Sequence, residues 1–252
     1  WNHANSLSNT SISNPIASPN NTSQYFVTGS NLFGCKDTAS IIITINPLPT
    51  LIKSGNKSVC KNDSTSILVS GGNNYSWSPI LGLSNPTIAN PIAFPQSTTN
   101  YKISVTDLKG CIGKDSIMIT VNPLPIISTN NDTAICQNQS TQLFATGGVK
   151  YNWSPNNNLN SSSVSNPIAS PKTTTVYSLT VTDFNNCSSI KSNIVVYVNK
   201  LPNVSAGNDT SICFGNSILL KASGGVQYKW ESSNLSNQLI SNPIANPLNS
   251  TN

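Results

Sequence analysis

Asn90-Pro91-Ile92-Ala93-Phe94-Pro95-Gln96-Ser97-Thr98-Thr99-Asn100-Tyr101-Lys102-Ile103-Ser104-Val105-Thr106-Asp107-Leu108-Lys109-Gly110-Cys111 is the stretch that decides the fold. Its second half alternates Tyr101, Ile103 and Val105 with Lys102, Ser104 and Thr106, the period of two of a half-buried strand. Asp107-Leu108-Lys109-Gly110 then reads as a hairpin turn with glycine near its end. Its opening four residues recur. Asn-Pro-Ile-Ala begins at Asn14, Asn90, Asn166 and Asn242, three steps of 76 residues each.

Three further markers keep this register. Cys35, Cys111 and Cys187 form one series, and Cys60, Cys136 and Cys213 another. Gly-Gly-x-x-Tyr-x-Trp runs from Gly71 to Trp77, Gly147 to Trp153 and Gly224 to Trp230. A Pro-rich joint, Asn46-Pro47-Leu48-Pro49, returns as Asn122-Pro123-Leu124-Pro125 and more loosely as Asn199-Lys200-Leu201-Pro202. Unlike motifs holding one spacing identify a tandem repeat of 76–77 residues.

The joints predict two whole modules, 49–124 and 125–201. Residues 1–48 are read as the back part of a module, since Trp1 aligns with Trp77, and 202–252 as the front part of another. Both ends then cut through a module, and the chain is expected to continue in both directions.

Within 49–124, strands are expected at 50–52, extended by Ser58-Val59-Cys60, at 65–69, at Tyr75-Ser76-Trp77, around Ile88 and Ile92, at 100–106 and at 116–121. Short alternating strands with turn signals every few residues predict an all-β fold, a tandem array of Ig-like or PKD-like β-sandwich modules. Helix is disfavoured: no segment has a 3.6-residue period, and Asn, Ser, Thr, Val and Pro form helices poorly. The predicted core is Trp77 with Tyr75 or Tyr101, plus Ile67, Val69, Ile103, Val105, Ile117, Ile119 and Val121. Trp153 and Trp230 are expected to be the equivalent core aromatics.

Composition limits function. Charged residues are 8% of the chain, against roughly 25% in ordinary domains. There are 13 lysines and no arginine, and the net charge of +5 is spread without a basic run. Nucleic-acid binding calls for clustered Lys and Arg, so no nucleic-acid partner is expected. No apolar stretch approaches the ~20 residues that span a bilayer, so no membrane insertion is expected. The acids Asp37, Asp63, Asp107, Asp115, Asp132, Asp183, Asp209 and Glu231 are scattered, mostly in turns, where Asp bonds local backbone. With His3 the only histidine and no Ser/His/Asp or Cys/His set, the chain reads as a non-enzyme without cofactor or metal. Calcium at Asp63 or Asp107 would require several oxygens gathered at one place.

The residues resemble a family. Cys60 to Ser64, Gly71 to Pro79, Leu83 to Pro86, Asn90 to Tyr101 and Val105 to Cys111 are similar to the PKD-like and Ig-like repeats of large surface proteins of the Bacteroidota. The match covers the whole chain. It departs where Asn31 stands for Asp107 and Asp183, and where Asn186 stands for Gly110. The resemblance implies export by type IX secretion and a place at the cell surface or in a secreted filament. It also implies an O-glycosylation motif, Asp-Ser/Thr followed by an apolar residue or Thr. That motif is matched at Thr38, Ser64, Ser116 and Thr133 and fails at Asp209-Thr210-Ser211. Asn-x-Ser/Thr sequons, as at Asn9, Asn56, Asn138 and Asn160, are expected by chance in so Asn- and Ser-rich a chain.

Two cysteines per module, with no Cys-x-x-Cys, read as disulfides. Pairing within a module, Cys60 with Cys111 and Cys136 with Cys187, is the first expectation. An immunoglobulin-like topology instead puts Cys60 at the bottom of its sandwich and Cys111 at the top. Because a disulfide needs Cα atoms within about 7 Å, the alternative is an intermodule bridge, Cys60 to Cys187.

These readings lead to a structural segment of an extracellular surface filament or adhesin stalk, acting as a repetitive rod. Its partners would be neighbouring modules and copies of itself in a fibre. The alternative is a repeat that binds carbohydrate, such as surface glycans, or another ligand.

Overall fold

The structure is a computed structural model that describes residues 1–2 and 4–249. His3 and the last three positions of the 202–252 segment lie outside the described residues. The chain divides into two compact units, Trp1–Leu124 and Pro125–Asn252. Apart from a short 3-10 turn at Ala4–Ser6, every regular element among the described residues is a strand.

The first two strands, β1 (Ser23–Ser30) and β2 (Lys36–Ile43), form an antiparallel hairpin. The repeat that follows holds β3 (Ile52–Lys53), β4 (Lys57–Cys60), β5 (Thr65–Ser66), β6 (Val69–Ser70), β7 (Asn74–Ser78), β8 (Ile92–Ala93), β9 (Thr99–Thr106) and β10 (Ile112–Asn122). Four of them make one sheet in the order β4-β10-β9-β7. The pairs β3-β6 and β5-β8 supply the other face. The next repeat copies this with β11 (Ser128–Thr129), β12 (Thr133–Cys136), β13 (Thr141–Gln142), β14 (Ala145–Thr146), β15 (Lys150–Ser154), β16 (Ile168–Ala169), β17 (Thr175–Thr182) and β18 (Ser188–Asn199). Its sheet order is β12-β18-β17-β15, with pairs β11-β14 and β13-β16. One pair follows, β19 (Ile218–Leu219) with β20 (Ile244–Ala245).

Each core joins residues from both faces. In the first repeat Ile67 and Val69 meet Trp77, Tyr101, Ile103, Val105, Ile117 and Ile119, all buried. This is the sandwich that the alternation predicts: side chains at even steps along β9 and β10 point to one side, and burying that side stabilises the pair. Leu83 and Ala93 also lie in the core, although the irregular segment around them carries no such alternation. Tyr75 only packs against its edge, and Val121 is half-buried where β10 ends beside Val59 of β4. The second core is equivalent, with Ile135, Leu143, Trp153, Tyr177, Leu179, Ile194 and Val196.

Trp230 departs from expectation and stays half-exposed. Residues 202–249 contain no counterpart of the long β9–β10 hairpin, so no wide sheet closes over the indole. The opening strand also differs. One continuous edge was expected from 50 to 60, but the chain changes sheets midway. Ile52 and Lys53 pair antiparallel with β6, whereas β4 pairs parallel with β10. At the switch the Met118 N–H donates to Asn56 Oδ1 at 3.0 Å, and the Val195 N–H to Asp132 Oδ1 at 2.8 Å. Side-chain oxygens thus satisfy backbone donors where strand pairing has not yet begun.

Candidate functional site

The repeated motifs come first, because a site present in every repeat would lie in them. The Trp77 indole N–H donates to the Ile88 carbonyl at 2.9 Å, and Ile88, expected in a strand, lies outside one. Tyr75 donates its hydroxyl proton to the Gly72 carbonyl at 2.9 Å, and Tyr151 and Tyr228 repeat this with Gly148 and Gly225. The double glycine is a matter of close approach. A Cβ on Gly71, at φ +119°, would stand 2.2 Å from the Thr50 carbonyl oxygen.

Asn-Pro-Ile-Ala is also spent on the fold. The Ile67 N–H donates to the Pro91 carbonyl at 3.1 Å, and the Leu143 N–H to the Pro167 carbonyl at 2.9 Å. The N–H of Ile92 is taken by Ser84 Oγ, that of Ile168 by Asn160 Oδ1 and that of Ile244 by Ser236 Oγ. Ala93 and Ala169 are fully buried, with no room for a larger side chain to be gained without displacing core.

At the head of each sandwich a short turn precedes the last strand. Asp107 Oδ1 accepts from the N–H groups of Lys109 and Cys111, both at 2.9 Å. Asp183 does the same for Asn185 and Cys187. Asn31 does so for Phe33 and Cys35, so the departure from Asp is silent: the turn needs the oxygen, not its charge. The left-handed position is Gly34, Gly110 or Asn186, at φ 80°, 82° and 60°. Asparagine tolerates that region better than other side chains, so this departure is accommodated as well.

The cysteines occupy opposite ends. Cys111 immediately precedes β10, and Cys60 stands beside Asn122 at that strand's other end. Cys187 and Cys136 repeat this about β18, with Cys136 beside Asn199. Strands rise about 3.3 Å per residue, so the two cysteines of a repeat are on the order of 30 Å apart. That overturns the expected pairing of Cys60 with Cys111 and of Cys136 with Cys187. In agreement, Cys60 and Cys187 are disulfide-bonded, while Cys35, Cys111, Cys136 and Cys213 are free thiols.

The hydroxyls matched by the O-glycosylation motif are scattered. Thr38 lies on β2 and Ser64 in the loop just before β5, both exposed. Ser116, within β10, and Thr133, opening β12, are half-buried. The Ser116 N–H donates to Asp115 Oδ1 at 2.7 Å, and Lys53 Nζ donates to the same oxygen at 2.6 Å. The Lys53 hydrogen bond, then the Ser116 N–H and the lysine charge, hold the Asp115 carboxyl below its ordinary pKa. Burial raises the Tyr101 and Tyr177 phenols.

Nothing gathers the acids. Among the described residues no three His, Cys, Asp or Glu side chains meet as a metal site would require. Two open clefts stand out. One is lined by Pro47, Gly71, Gly72 and the Asp107-Leu108-Lys109 turn, and the other by Ser128 to Asp132 with Lys191. They occupy different places in their repeats. No described helix is long and apolar enough to cross a membrane.

No protein-family model and no curated protein matches the chain. Solved structures give distant likenesses. The N-terminal eight Ig domains of Down syndrome cell adhesion molecule align at 13% identity and TM-score 0.37, over 91% of this chain and 42% of that one. A Ca2+-stabilised adhesin with which an Antarctic bacterium binds ice aligns at 9% and 0.38, over 88% and 73%. The insect immune protein hemolin aligns at 17% and 0.33, over 70% and 56%. Overlaps this slight carry no argument of their own. The sheet order and the two cores do, and they make this chain an all-β tandem array of β-sandwich repeats.

Proposed function

We propose that the chain is a structural segment of an extracellular surface filament or adhesin stalk, acting as a non-catalytic repetitive rod. One observation carries this reading. The residues that recur every 76 positions are consumed inside the fold, as core, turn or backbone partners. Repetition therefore preserves the sandwich and its joints.

Pro-rich joints support a rod, since proline fixes φ and narrows the swing between neighbours. The likeness of the motifs to Bacteroidota surface repeats supports export to the cell exterior by type IX secretion. O-glycans on Thr38, Ser64, Ser116 or Thr133 would cover a surface that has few charges to keep it soluble. Imaging of the native material tests the rod. Filaments with a regular repeat near one module length are expected, and isolated flexible strings would overturn it. A carbohydrate- or ligand-binding repeat is the second reading. An exposed apolar residue recurs at each head turn, as Leu32, Leu108 and Phe184, and favours it. A glycan array probed with this chain would separate the two.

A further inference from the structure

We propose that the outer side of the β3-β6 and β5-β8 layer, and of its counterpart β11-β14 and β13-β16, is a docking surface for a second copy of this chain. In a surface filament, the reading on which this rests, that face holds neighbouring rods side by side.

Register builds the surface. Ile52 pairs with Ser70 across β3 and β6, and Ser66 with Ile92 across β5 and β8. Between these pairs the alignment runs on, because the N–H groups of Ile67 and Val69 donate to the carbonyls of Pro91 and Ala89 at 3.1 and 2.9 Å. On the other side the Ser54 N–H donates to the Leu68 carbonyl at 2.8 Å. Leu68 therefore stands between Ser54 and Asn90, and Ser70 between Ile52 and Ile88. Ile67 and Val69 point into the core, so Leu68 and the residues two away from it point outward. A checkerboard results. Ile52, Leu68, Ile88 and Ile92 alternate with Ser54, Ser66, Ser70 and Asn90, both along the strands and across them.

The next repeat keeps the pattern. Gln142 pairs with Ile168, and the N–H groups of Leu143 and Ala145 donate to the carbonyls of Pro167 and Ser165 at 2.9 and 2.8 Å. Phe144 thus stands opposite Asn166, with Val164 and Ile168 on its diagonals, all three exposed. Two of these apolar positions recur along the whole chain. The isoleucine of Asn-Pro-Ile-Ala is exposed at Ile16, Ile92, Ile168 and Ile244, and so is the residue four before it, at Ile12, Ile88, Val164 and Ile240. The motif isoleucine's N–H is bonded within the fold, but its side chain faces solvent. Each repeat keeps an apolar side chain where folding buries none.

A checkerboard is complementary to itself. Displaced by one residue, the large side chains of one copy meet the serine and asparagine positions of another, the interdigitation by which stacked sheets pack. None of the positions named on the two faces is charged, so docking brings no like charges together there. The size suits a contact made many times over. Ile52, Leu68, Ile88 and Ile92 are 71, 52, 38 and 49% exposed. They offer roughly 400 Å² of surface, half of the about 800 Å² a side in a standard interface and within the range of weak ones. One face gives transient association, and an array that presents the face in each repeat gains avidity.

Sedimentation equilibrium of the 252-residue chain, with its free thiols alkylated against chance cross-linking, gives the test. The average mass should rise above that of one chain over roughly 10 µM to 1 mM, the range in which weak interfaces fill. Leu68→Lys with Phe144→Lys would bury unpaired charge in a docked face and should raise the dissociation constant at least about tenfold. Leu108→Lys with Phe184→Lys, on the exposed head turns, should leave it unchanged. A chain that stays monomeric, or association that survives the face substitutions, overturns the proposal. So does association lost on the head-turn substitutions alone. Should the lysine face variant fail to fold, Ile92→Thr with Ile168→Thr keeps the branched shape and must still weaken association. Rods imaged in native material, with the chain monomeric in solution, would sink this face and leave the rod standing. Association lost on the face substitutions, without rods, would uphold the face and sink the rod.

Discussion

The indole N–H of Trp77 lies 2.9 Å from the carbonyl oxygen of Ile88, eleven residues on. The same bond joins Trp1 to Ile12, Trp153 to Val164 and Trp230 to Ile240. It ties the irregular segment after the aromatic strand back onto the sheet, and its donor comes from the largest core side chain. Packing and polar satisfaction therefore meet in one residue.

Replacing Trp153 by alanine removes both. A loss of about 3–5 kcal/mol is expected for the repeat that holds it. Trp230→Ala should cost clearly less, because that indole is half-exposed. Calorimetric unfolding of each variant gives the comparison, and equal losses would contradict the burial difference.

Tyr101 and Tyr177 occupy the same place but differ in their hydroxyls. That of Tyr101 donates to the carbonyls of Leu81 and Gly82, at 3.1 and 3.3 Å. Tyr177 is fully buried, and its hydroxyl has no partner. Tyr101→Phe should cost about 1 kcal/mol, the net worth of a hydrogen bond, whereas Tyr177→Phe should be neutral or stabilising. Urea midpoints of the two variants check the sign of each.

The head turn accepts from two N–H groups whether its residue is Asp or Asn. Asp183→Asn should be nearly silent in thermal unfolding. Asp183→Ala should cost about 1–3 kcal/mol, because it strands the N–H groups of Asn185 and Cys187. Gly110→Ala meets no neighbour within 4 Å, yet at φ +82° it should cost about 1 kcal/mol from backbone strain alone.

Asp115 gives a pH signature. Its folded pKa lies below the unfolded value of about 3.9. The stabilisation is therefore complete above that value and is lost as pH falls through the folded pKa. Both side chains of the Lys53–Asp115 pair are about a third exposed, so the effect should stay below ~1 kcal/mol. Lys53→Met should flatten this part of the acid profile. The following repeat has Thr129 and Lys191 at these positions and should lack the feature.

Much of this was legible in the chain. Alternation placed Ile67, Val69, Ile103, Val105, Ile117 and Ile119 inward, because a strand's period of two fixes its faces locally. It could not place Leu83 or Ala93. Their segment has no period, and what buries them is a cluster assembled from both faces of the sandwich. The equivalence of Asn31 and Asp107 was also hidden, since only the turn geometry shows that an oxygen suffices.

The sequence by itself determined the 76-residue period, the strand faces and the aromatic core, all of which follow from local spacing. Only the tertiary structure decided which end of the sandwich each cysteine occupies, where the first strand changes sheets, and that Tyr177 lacks the bond Tyr101 makes. Those depend on register between strands tens of residues apart. Register is set by the packing of both faces together, so no single stretch of chain contains it.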